Sequence, residues 1–139
     1  MSTSGFDRRL ARAGLADLTA AIGCAVFGGV YECFSHGVWS GHLVYAFLFL
    51  LAGGALPCSA LALSGCRHPL GRWSLGLHHA GLAALTVGSL MQGALEIYGT
   101  SSSLIRFYGI GGGISLSAGA LVYLAGRIGG LAPSAAKRP

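Results

Sequence analysis

The stretch 73–98, WSLGLHHAGLAALTVGSLMQGALEIY, decides the fold class. It holds a single charged residue, Glu96, and it exceeds the ~20 residues that carry an α-helix across a hydrocarbon core. Three further segments read the same way, so spans are expected at 14–34, 43–64, 73–98 and 105–127. The runs are continuous rather than alternating, which excludes a closed β-barrel. The expected fold is all-α, a four-transmembrane-helix bundle. Four such helices use most of the 139 residues, so 1–139 reads as a single integral membrane domain.

Composition agrees. With 53% hydrophobic and 9% charged residues, the chain has far fewer charges than the quarter or so of a soluble domain. Arg8, Arg9 and Arg12 precede the first span, Arg67 and Arg72 lie between the second and third, and Arg127, Lys137 and Arg138 follow the fourth. Of the nine basic residues only Arg106 falls on the other side. Short loops keep Lys and Arg in the cytoplasm, so both termini are expected inside. Topology thus accounts for the formal charge of +5. No basic face with interleaved aromatics exists, no nucleic acid is expected as a partner, and the lipid bilayer with its anionic headgroups is. Trp39, Tyr31, Tyr45, Tyr98 and Tyr108 gather towards the expected outer ends, with Trp73 and Tyr123 towards the inner ones, as in an interfacial aromatic belt.

The pair Arg8-Arg9 before an apolar stretch resembles a twin-arginine signal. The apolar run is too long for a signal core, and no convincing small-x-small cleavage site precedes Tyr31, so the first segment is expected to stay. A hairpin duplication is also legible. Residues Ala20 through Glu32 lie over Ala84 through Glu96 without a gap, which pairs the two glutamates of the chain. Two helices per unit would give parallel helical-hairpin repeats.

Glycine is abundant, at 24 residues, and lipid-embedded helices pack through small side chains. Gly76, Ala80, Ala84 and Gly88 form a stripe at four-residue spacing on the third span, and Gly109 with Gly113 makes a G-x-x-x-G on the fourth. These positions are expected at helix contacts inside the chain. A homo-oligomer face on the fourth span, or docking in a larger membrane complex, is the sharper alternative. Pro57 beside Gly53-Gly54 predicts a kink in the second span, because proline removes a backbone donor.

Polar residues within or beside the spans carry the candidate chemistry. Glu32 and Glu96 both fall near the outer ends of odd-numbered spans. Glu32 and His36 share a face if the helix continues that far. On the third span His78, Ser89, Gln92 and Glu96 share a stripe that should point inward. Glu32, His36, Gln92, Glu96 and Arg106 therefore form the expected polar cluster at the outer mouth. A divalent metal held by Glu32, His36, His42 and Glu96 is one use of it, since carboxylate and imidazole suit zinc, iron or manganese. The competing expectation is that the glutamates are solvated or bonded to Tyr31, Tyr98 or Arg106. Haem is less favoured, because His78 and His79 are adjacent on one helix and diverge by ~100°. They read better as an interfacial pair touching headgroups or loop carbonyls. Cys24, Cys33, Cys58 and Cys66 contain no C-x-x-C, and Cys24 and Cys58 read as packing residues. No phosphate loop, dinucleotide fingerprint or Ser/His/Asp set is present, so no enzyme signature survives.

The strings Glu32-x-x-Ser35-His36-Gly37 and Leu95-Glu96-Ile97-Tyr98-Gly99-Thr100 resemble those of small four-helix integral membrane proteins of bacteria. The resemblance implies a multipass protein of the bacterial inner membrane and brings no activity with it. The functional expectation is a binding, transport-accessory or assembly subunit. The alternative is a metal- or haem-binding membrane redox subunit.

Overall fold

The computed structural model describes residues 8–63 and 71–131. Cys66, Arg67, His68, Lys137, Arg138 and the side chain of Arg127 lie outside the described residues. The chain forms α1 (Arg8–Cys33), α2 (Gly41–Val44), α3 (Phe47–Leu50), a π-helical turn (Leu51–Ala55), α4 (Leu56–Leu63), α5 (Arg72–Ile97) and α6 (Ile105–Leu131), with no strand among the described residues. Four stretches are long and apolar enough to cross a membrane: Arg8–Cys33, Gly41–Leu63, Arg72–Ile97 and Ile105–Gly126. The first begins at Arg8 rather than near Gly14, so Arg8, Arg9 and Arg12 ride on its opening turns. Leu15, Ile22, Val26, Ile110, Ile114 and Leu121 stay exposed on the outer faces, as suits helices whose solvent is apolar.

The second span breaks where Pro57 predicts a kink. Pro57 has no N–H for the carbonyl four residues back, that of Gly53. The backbone widens into the π turn, and the Leu56 N–H donates to the Leu51 carbonyl five residues earlier. The Gly53 carbonyl instead accepts from His78 Nε2 on α5, at 2.7 Å. A carbonyl can only accept, so this nitrogen carries the proton. His78 is therefore an internal strut, not the interfacial residue its sequence position suggested.

Close helix contacts are made by glycines. On α1 a side chain at Gly14 would meet Ser59 Oγ at 2.9 Å, and one at Gly28 would meet the Leu43 carbonyl at 3.0 Å. A Cβ on Gly93 of α5 would lie 2.6 Å from the Leu43 nitrogen. Leu43, with 0% exposure, is thus clamped between two bare patches of backbone. α5 and α6 touch through Gly81 and Gly112, where a Cβ on either would fall within 3.0 Å of the other's carbonyl oxygen. Gly119 repeats the contact against the Ser74 carbonyl at 3.1 Å, and Ser74 Oγ donates to the Gly119 carbonyl at 2.8 Å.

The expected packing stripe needs correction. Only Gly88 of its third-span members sits at a close approach, 2.7 Å from Tyr108 Cβ by the same test. Ala80 is exposed, Ala84 is half-buried, and Gly76, Gly109 and Gly113 face open space. The reason is the period. Positions four apart drift ~40° round a helix at each step, about 120° from Gly76 to Gly88, whereas positions seven apart drift only ~20°. Ser74, Gly81 and Gly88 keep that longer spacing, as do Gly112 and Gly119, which is the repeat of left-handed helix pairs. Ala21, Leu50 and Leu82 form the apolar centre, and Cys24, Phe47, Leu51 and Leu116 pack against it, so all four spans contribute.

Candidate functional site

α1 and α5 have the same length of 26 residues, and each carries its glutamate as the next-to-last residue. Both side chains reach the same loop residue. Glu32 Oε1 accepts from the Ser40 backbone N–H at 2.9 Å, and Glu96 Oε2 accepts from Ser40 Oγ at 2.6 Å. Ser40 is 1% exposed and also caps α2, its Oγ accepting from the Leu43 N–H at 3.4 Å. The second Glu96 oxygen accepts from Gln92 Nε2 at 3.1 Å and from His42 Nδ1 at 2.9 Å. Ser89 Oγ ties α5 to the His42 carbonyl at 2.7 Å. Carboxylates that would otherwise repel are thus held by neutral donors and one imidazole. Ser40 is absent from the sequence-derived cluster, although a serine just ahead of a short helix is a recognisable cap signal.

Two expected members stand apart. α1 ends at Cys33, so His36 does not continue the Glu32 face. It adopts φ 55°, is exposed, and lines a separate cavity with Tyr31, Phe34 and Tyr98. Glu32, His36, His42 and Glu96 therefore do not come together as one ligand set. Arg106 is exposed and forms no ion pair among the described residues. It borders a groove of about 550 Å³ that His42 and Gln92 close on the cluster side. Ser101, Ser102 and Ser103 supply further polar groups, while Phe49, Leu85 and Gly88 add apolar lining.

A second polar site lies deeper. Asp17 is 5% exposed on α1, ~22 Å along the helix from Glu32. Its Oδ2 is 2.9 Å from His79 Nε2 on α5. His79 Nδ1 is 2.8 Å from the Leu75 carbonyl and must donate to it. One proton therefore lies between Nε2 and Oδ2, and the pair is neutral overall whichever atom holds it. Buried Cys58 on α4 adds a thiol, and the three donor atoms lie within 4.8 Å of one another. This is the one such group of three among the described residues. Cys58 is buried as a packing residue should be, whereas His79 is bonded inside the protein rather than at an interface. Asp17, an acid inside a spanning segment and away from the glutamate at its end, is the sequence signal that such a partner should exist.

No family model, curated protein or solved structure matches this chain.

Proposed function

We propose that the protein is a multipass binding protein of a bacterial inner membrane. In this reading it is a four-helix bundle of two parallel hairpin repeats, with both termini cytoplasmic and the glutamate end outside. Its groove takes the acidic head of an amphipathic molecule, whose apolar part lies along Phe49 and Leu85. The supporting observation is Arg106, a guanidinium without an ion pair among the described residues, beside a groove lined by both polar and apolar side chains. A guanidinium forks onto phosphate or carboxylate oxygens, and serine hydroxyls complete such a contact. The glutamate cluster serves as scaffold: Glu96 orients His42 and Gln92 at the edge of the groove.

Native mass spectrometry of the purified protein with phosphatidylglycerol or phosphatidylcholine added tests this reading. Selective retention of the anionic lipid, lost in Arg106→Gln, is expected. Equal retention of the two lipids by the wild type would overturn it.

A further inference from the structure

We propose that Asp17, Cys58 and His79 form a binding site for one divalent transition-metal ion, with zinc the best chemical fit. The site is independent of the glutamate end.

The donor set is the first argument. One carboxylate oxygen, one thiolate and one imidazole nitrogen together suit a borderline-soft ion, and three protein donors leave a position for a further small ligand. The second argument is orientation. His79 Nδ1 donates its hydrogen bond to the Leu75 carbonyl, so once the proton between Nε2 and Oδ2 is displaced the neutral ring offers its lone pair on Nε2, the atom that faces Asp17. Metal-bound histidines are oriented by a hydrogen bond of this kind from the opposite nitrogen.

Charge is the third argument. Binding releases two protons, the one shared by Asp17 and His79 and that of the Cys58 thiol, and the two negative charges this leaves are cancelled by a divalent ion. The complex is then neutral in an apolar interior, where an unmatched charge is costly. Distances are compatible with this. Bonds of 2.0–2.3 Å put tetrahedral donors roughly 3.3–3.8 Å apart. The Nε2–Oδ2 pair at 2.9 Å has to open by a few tenths of an ångström, and the thiol is already within 4.8 Å. Gly54 makes the site feasible, because a Cβ there would overlap the Asp17 carboxylate.

Cobalt titration of chelator-stripped, reduced full-length protein in detergent is the test. The wild type should bind one Co²⁺ per chain with thiolate-to-cobalt absorption, and Zn²⁺ should displace it. Cys58→Ser should lose that absorption, whereas Cys33→Ser keeps it. Asp17→Asn and His79→Gln should each weaken binding by about tenfold or more. Glu96→Gln should bind as the wild type does. Because Asp17→Asn could misfold, the melting temperature of Cys58→Ser is measured as well. Zinc should raise the melting temperature of the wild type and leave that of Cys58→Ser unchanged. Absence of the thiolate band in the wild type, or its persistence in Cys58→Ser, would overturn the proposal.

Discussion

The Gly53 carbonyl and His78 Nε2, 2.7 Å apart, close the gap that Pro57 opens in the second span. His78→Ala should leave a half-buried carbonyl without this partner and cost about 1–3 kcal/mol of stability. Pro57→Ala restores the backbone donor. The double variant should therefore lose less than His78→Ala alone, and thermal unfolding in detergent reads the coupling.

Helix contact rests on bare backbone at Gly81 and Gly112. Leucine at Gly81, Gly88 or Gly112 should destabilise the fold by about 1–3 kcal/mol, because a large side chain holds the helices apart. Leucine at Gly76 or Gly113 should change little inside the chain, since both face open space. Equal melting temperatures across the five variants would remove the argument.

Ser40 serves both glutamates and caps α2. Ser40→Ala should cost about 1–3 kcal/mol through the lost cap and the unserved Glu96 oxygen. Ser40→Thr keeps the hydroxyl and should recover most of that loss. Matching melting curves for the alanine and threonine variants would deny the hydroxyl this role.

Orientation is open to cysteine labelling in a variant stripped of native cysteines. With both termini cytoplasmic, a single cysteine at Ser103 should react with an impermeant reagent added to intact cells, and one at Arg72 should not. The reverse pattern would invert the topology and place the groove at the inner leaflet.

Much of the architecture was legible because hydropathy is a one-dimensional property: span number and rough limits follow from runs of residues. That Glu32 and Glu96 each fall near the end of a long helix was legible for the same reason. Partners were harder to read. Asp17 and His79 are 62 residues apart, and only a shared seam shows that the mid-helix acid of α1 meets an imidazole on α5. The glycine stripe failed because four-residue spacing is conspicuous in sequence, while two long helices stay in register at seven. His36 leaves the cluster because its shared face with Glu32 requires helix beyond Cys33, and the chain instead turns into the left-handed region at His36.

The partner of the Gly53 carbonyl has a consequence for biogenesis. A ribosome delivers the second span to the bilayer before α5 exists, and a carbonyl without a donor in hydrocarbon costs several kcal/mol. Until His78 arrives, that segment is a poor guest in lipid and should linger beside the insertion machinery or hold water at its break. Spans two and three would then leave as a pair, so that the order of synthesis becomes a step in making the fold.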